Sequence, residues 1–166
     1  KILSNIKKPL LIAEISGNHN GCKNTAKKLI KSAKDNGADL IKLQTYTPET
    51  LTINSKREDF IIRKGLWKGR TLWDLYSKAH TPFEWHEELF SFAKKIGITC
   101  FSTAFDESSV DLLEELKTPF YKISSFDIID LPLIKYIAKT KKTIILSTGL
   151  STDEEIKNAV KIIRKH

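Results

Sequence analysis

Two lysines, one acid and a set of hydroxyl side chains stand at comparable places along this chain: Glu14, Lys42 with Gln44, Thr103, Lys122 with Ser125, and Ser147 with Thr148. Each group closes a short apolar or β-branched run, where a strand buried on both faces has no structural reason to carry polar residues. Lysine is costly to bury without an anion. Two lysines and several hydroxyls around a common mouth therefore form a site for a phosphorylated or carboxylated small molecule. Glu14 is the lone acid of the set. It suits proton transfer, or the orienting of a water or metal, and it also suits an ion pair with Lys42 or Lys122. His19, in the loop Ser16-Gly17-Asn18-His19-Asn20-Gly21, reads either as a proton donor or ligand or as a hydrogen-bonding residue of the loop. A glycine-containing loop ahead of a helix is by itself a weak phosphate-binding signal.

The elements that must position these side chains follow from periodicity. Five runs read as strands: Leu10–Ser16, Leu40–Tyr46, Thr99–Phe105, Tyr121–Ser125 and Thr143–Thr148. They alternate with stretches of helical period, the signature of βαβ units and a parallel sheet. Thr25–Asn36 predicts a helix with Ala26, Leu29, Ile30 and Ala33 on one face, stopping at Gly37. Thr81-Pro82-Phe83-Glu84 predicts a capping box opening a helix that ends at Gly97, and Ser151 to Glu154 predicts a second one. Ser108–Leu116 and Leu133–Lys139 predict two more helices. Strands starting at residues 99, 121 and 143 recur about every 22 residues, a regular β/α repeat. Residues 47–80 form a long connection with short helical patterns around 56–64 and 71–79, and a connection of that length suggests an active-site flap. In parallel α/β sheets ligands bind at the carboxyl ends of the strands, where Lys42 and Gln44, two apart, share a face.

Composition narrows the class. The 166 residues carry 28 Lys and Arg against 20 Asp and Glu, a formal charge of +8. The lysines are spread over helix faces without clustered arginine, so a solvated surface that draws in an anionic substrate is expected rather than nucleic-acid binding. No apolar run reaches the roughly 18 to 20 residues of a membrane span, and Lys1 to Pro9 lacks a signal-peptide core, so the expectation is a cytoplasmic protein. Cys22 and Cys100 form no metal or disulfide framework. With no methionine in the sequence, a longer parent chain is expected.

Several segments together resemble the N-terminal part of the sialic acid synthase family. They are Ile12-Ala13-Glu14-Ile15 with Asn18-His19-Asn20-Gly21, Gly37-Ala38-Asp39, Lys42-Leu43-Gln44-Thr45, Phe101-Ser102-Thr103, Tyr121-Lys122-Ile123 with Ser125, and Ile145-Leu146-Ser147-Thr148-Gly149. The stretches Thr45-Tyr46-Thr47-Pro48, Asp59-Phe60-Ile61-Ile62, Gly65-Leu66-Trp67, Leu72-Trp73-Asp74-Leu75-Tyr76 and Thr81 to His86 look like its pseudaminic acid synthase branch. The resemblance implies condensation of phosphoenolpyruvate with an N-acetylated amino sugar, 2,4-diacetamido-2,4,6-trideoxy-altrose. C3 of phosphoenolpyruvate attacks the open-chain aldehyde, water adds at C2 and phosphate leaves by C–O cleavage. N-acetylneuraminate or legionaminic acid synthesis is the alternative within the family. Carried over by position, Lys42, Thr103, Lys122, Ser125 and Ser147 would hold phosphoenolpyruvate, Gln44, Asp127 and Trp67 would face the sugar, and Glu14 would sit by the reacting carbons. Asp127 stands where many relatives have glutamate.

The implied fold is a (β/α)8 TIM barrel, of which residues 1–166 would supply roughly the first five β/α units. The remaining strands and a C-terminal antifreeze-like (SAF) domain are expected outside this sequence. A divalent metal, manganese or magnesium, would polarise the aldehyde, with its ligands beyond residue 166; His80, His86 and His166 do not match them. A homodimer is implied for the full-length protein, and residues 1–166 alone are expected to be inactive. Two rivals remain: a Schiff-base aldolase or lyase using Lys42 or Lys122, and a non-catalytic five-stranded flavodoxin-like binding module.

Overall fold

The computed structural model describes residues 8–166; the segment 1–7, where most of the reading of Lys1 to Pro9 falls, lies outside them. Five parallel strands form one sheet: β1 (Ile12–Glu14), β2 (Leu40–Thr45), β3 (Thr99–Ala104), β4 (Phe120–Ile123) and β5 (Thr143–Leu146). Their spatial order is β1-β2-β3-β4-β5, each pairing with its sequence neighbour. That order removes the flavodoxin-like alternative, which needs a reversal of strand order.

The connections are α1 (Lys23–Asp35), α2 (Pro48–Leu51), α3 (Leu72–Ala79), α4 (Phe83–Lys95), α5 (Glu107–Glu115), α6 (Leu131–Lys139) and α7 (Asp153–Lys165). Short 3-10 turns cover Glu58–Phe60 and Asp127–Ile129. Period-two alternation on β2 decides which face the helices take. Ile41 and Leu43 are fully buried beneath α1 and α4, with Ile30, Leu89 and Ala93. Tyr121 and Ile123 of β4 likewise pack beneath α5, α6 and α7, through Val110, Leu113, Ile134, Ile137 and Ala159. The opposite face carries a smaller apolar layer of Leu40, Phe101 and Phe120 with Leu10 and Ile145, in which the two phenyl rings lie 4.4 Å apart. Large clusters outside a parallel sheet and a thin layer within follow the barrel plan.

Several local expectations are corrected. The strands are shorter than their apolar runs, and only β1 and β2 end on polar residues; β3, β4 and β5 end on Ala104, Ile123 and Leu146, with Thr103 one residue inside the end of β3 and Ser125, Ser147 and Thr148 beyond β4 and β5. The capping box expected at Thr81 does not form. Pro82 takes the N-cap, and the Thr81 hydroxyl instead meets His19. At α7 the box is one residue later than expected, Thr152 with Glu155. α7 buries Ala159 fully, whereas Ile156, Val160 and Ile163 stay half-exposed. α1 stops where expected, because Gly37 adopts φ +87°, a conformation that costs a side-chain-bearing residue.

The 47–80 connection folds as α2, the 3-10 turn, a single antiparallel bridge between Ile61 and Thr71, and α3. Thr71 and Asp74 close a capping box at the start of α3.

Candidate active site

Strand register assembles the predicted residues. Glu14 pairs with Lys42, and one step further along the sheet Gln44 pairs with Thr103, which pairs with Lys122. Paired residues of parallel strands share a face. These five side chains therefore line the helix-free face at the carboxyl end of the sheet, above the Leu40, Phe101 and Phe120 layer. Lys122 pairs in turn with Ile145, and Ser147 follows two residues later in the same phase, its amide donating to the Ile123 carbonyl at 3.2 Å. Ser125 lies past the end of β4, against the backbone of Gly149.

The charges are arranged around the two ammonium groups. Glu14 and Lys42 form an ion pair, and the other carboxylate oxygen of Glu14 accepts the Ser16 amide at 3.0 Å. Burial, and then the nearby Lys122, pull the Lys42 ammonium down to about 8; the Glu14 carboxylate acts in the opposite sense. Lys122 donates to the Ile123 carbonyl at 2.6 Å. Burial lowers its pKa, partly opposed by Asp127. Asp127 accepts from the Ser124 hydroxyl, and burial raises its carboxyl. Two half-buried lysines whose ammonium groups are both disfavoured by burial, with Lys122 further disfavouring Lys42, favour an anion between them, since it offsets that cost.

Next to the lysines is a cavity of about 320 Å³. Its polar lining is Gln44, Ser124 and Asp127, and its walls are Tyr46, Leu51, Tyr76, Phe105 and Phe126. The long connection supplies Leu51 and Tyr76. Trp67 is not part of this cavity: it lies with Gly17, Asn20 and Gly21 along a separate depression, its ring 5.9 Å from the Lys78 ammonium. A larger hollow of about 570 Å³, lined by Gly97, Ile98, Thr99, Leu116 and Lys117, sits at the amino end of β3, away from the lysines.

Sequence reasoning missed the network behind this face. His86 is fully buried on α4. Its Nδ1 lies 3.0 Å from the Pro82 carbonyl, which can only accept, so Nδ1 carries the proton and Nε2 accepts from Thr45 Oγ1 at 2.8 Å. The Ser102 hydroxyl then donates to Thr45 at 2.6 Å, and Ser109 of α5 donates to the Thr45 carbonyl at 2.7 Å. The signal was present in the spacing: His86 shares the buried face of α4 with Leu89 and Ala93. His19 resolves similarly. Its Nδ1 accepts the Gly21 amide at 3.1 Å, leaving Nε2 to donate to Thr81 at 3.2 Å, and its ring stands edge-on to Trp85. It anchors the loop after β1 from a fully buried position. Asn18 is exposed on that loop.

A sequentially ordered parallel sheet, helices outside and a cationic face at the carboxyl ends define a β/α-barrel enzyme fold. The NeuB family model matches residues 29–166, and the chain belongs to that family. It is 47% identical over 160 residues to the pseudaminic acid synthase of Helicobacter pylori, covering 96% of this chain and 47% of that one. Identity to the N,N'-diacetyllegionaminic acid synthase of Campylobacter jejuni is 40% over 162 residues, 97% of this chain and 48% of that one. The crystal structure of N-acetylneuraminic acid synthetase from Leptospira borgpetersenii, in complex with citrate, superposes with a TM-score of 0.82 at 29% identity, covering 98% of this chain and 54% of that one. The chain spans about half the length of the curated relatives it matches.

Proposed function

We propose that the protein carrying this chain is a nonulosonic acid synthase, condensing phosphoenolpyruvate with 2,4-diacetamido-2,4,6-trideoxy-altrose to give pseudaminic acid and phosphate. The observation that carries the proposal is the row of Lys42, Gln44, Thr103 and Lys122 on one face at the carboxyl ends of three neighbouring strands. Lys42 and Lys122, with hydroxyls from Thr103, Ser125 and Ser147, hold the phosphate and carboxylate. Gln44 and Asp127, which share the adjoining cavity, face the sugar; Trp67, outside that cavity, is left out of the contact set. Glu14 neutralises Lys42 before phosphoenolpyruvate arrives, and then stands free to orient the water that adds at C2. No group of three or more His, Cys, Asp or Glu among the described residues is placed to hold a metal ion, and the divalent metal of the proposed reaction, manganese or magnesium, is assigned no ligand here. The full-length protein is taken to act on small molecules as a homodimer.

The test is phosphate release by the full-length protein supplied with phosphoenolpyruvate, the diacetamido sugar and manganese. Stoichiometric phosphate and sugar acid are expected, with Lys42→Ala and Lys122→Ala each lowering kcat/KM for phosphoenolpyruvate by about a hundredfold, as for loss of a buried charge partner. No consumption of phosphoenolpyruvate would overturn the proposal. The lowered pKa of Lys42 also favours one other reading, a Schiff-base lyase. Borohydride trapping with a keto acid separates the two, since only the lyase leaves a covalent label on Lys42 or Lys122.

A further inference from the structure

Tyr46 is only 3% exposed, yet its phenol makes no hydrogen bond to any described residue. No buried side-chain nitrogen or oxygen among the described residues lacks a partner, so the hydroxyl is reached by solvent, and the opening it lines is the cavity shared with Gln44 and Asp127. Its ring is held edge-on by Tyr76 at 5.8 Å and Phe105 at 5.5 Å, leaving little freedom to turn. The hydroxyl therefore has solvent as its partner at the cavity wall, and a ligand oxygen that replaces this water with a direct hydrogen bond on a pre-oriented phenol gains affinity.

Position along β2 says which part of a ligand that is. Lys42 and Gln44 alternate onto one face of β2, and Tyr46, one residue past the end of the strand, lines the same cavity as Gln44, each step of two residues advancing about 7 Å. The row thus runs outward from the cationic end, past an amide, to a phenol bordered by Leu51 and Phe105. A group met at that outer end needs a hydrogen-bonding atom beside a small apolar cap. We propose that Tyr46 is a specificity-determining residue that bonds the carbonyl of an N-acyl substituent on the acceptor sugar, with the acyl methyl against Leu51 and Phe105. This rests on the function proposed above for the same site, and names the feature of the acceptor that the outer wall reads.

The experiment pairs binding with turnover on the full-length protein. Saturation-transfer NMR and titration with the diacetamido sugar are run on the wild type and on Tyr46→Phe, which keeps the ring and its packing. The expected result is strongest transfer to an acetamido methyl, and an affinity about five- to tenfold weaker in Tyr46→Phe. In turnover, KM for the sugar should rise by a similar factor, with KM for phosphoenolpyruvate and thermal stability unchanged. Leu51→Ala should weaken transfer to the methyl while leaving the phenol in place. Equal sugar affinity in wild type and Tyr46→Phe overturns the inference, and does so even if phosphate release confirms the synthase. Loss of sugar affinity in Tyr46→Phe together with no phosphate release by the wild type upholds the N-acyl site and removes the synthase.

Discussion

Lys42 carries the sharpest dependence on solution conditions. Its ammonium must be charged to hold an anion, and burial with the adjacent Lys122 sets its pKa at about 8 rather than near 10. Because the charged form lies below that value, kcat/KM for phosphoenolpyruvate in the full-length protein should be flat below about pH 7 and fall as pH rises through 8. Lys42→Arg, whose guanidinium stays charged throughout, should shift this alkaline limb upward even where activity is reduced. A limb that stays in place in Lys42→Arg would assign it to another group. Glu14 belongs to the same balance. It forms an ion pair with Lys42, and under the proposed function an incoming carboxylate or phosphate would replace it.

At the scale of elements, the end of β2 is held from behind. His86, Thr45 and Ser102 tie α4, β2 and β3 together through one chain of donors, and Ser109 adds α5. That chain requires neutral His86, and burial lowers its pKa to about 4. Between pH 6.5 and 4 the unfolded chain takes up a proton that the folded one refuses, so stability should fall with falling pH across that window, by about 3 kcal/mol in all. His86→Asn should cost about 1–3 kcal/mol at neutral pH by stripping Thr45 of its partner, and should flatten the stability profile between pH 6.5 and 4. Urea unfolding at several pH values checks both. The burial of His86 was legible in its spacing with Leu89 and Ala93 on α4, but its partner was not, because only the fold brings it against Thr45, 41 residues away. The five strands were legible, because apolar runs are written locally; their sequential order was implied by the family resemblance and not by the runs themselves, which also admit a flavodoxin-like order. Strand ends and caps were not legible. Pairing stops where the neighbouring strand stops, and Thr81, a good cap by sequence, is drawn off by His19 from 62 residues away. Asp127 and Gln44 were placed together from the resemblance, and the cavity joins them. The walls that Tyr46 and Phe105 build depend on α2 and α3, whose position the sequence does not encode locally.

The whole molecule, as described, is a parallel sheet whose β1 and β5 each pair with one neighbour, whereas a closed barrel takes eight strands. On the inner face Ile12 is 36% exposed, in line with Glu14. Residues 1–166 alone are therefore predicted to release no phosphate from phosphoenolpyruvate with the sugar and manganese, and turnover near the full-length rate would refute this. The charge of +8 contributes at this scale by attracting anions, so association of phosphoenolpyruvate should weaken with salt. The most direct measurement follows the heavy-oxygen-labelled bridging atom of phosphoenolpyruvate through turnover by the full-length protein with the diacetamido sugar. Water attack at C2 with C–O cleavage predicts the label in inorganic phosphate, one equivalent per sugar acid. Label retained at C2 of the sugar acid, or sugar acid formed without phosphate, would contradict it.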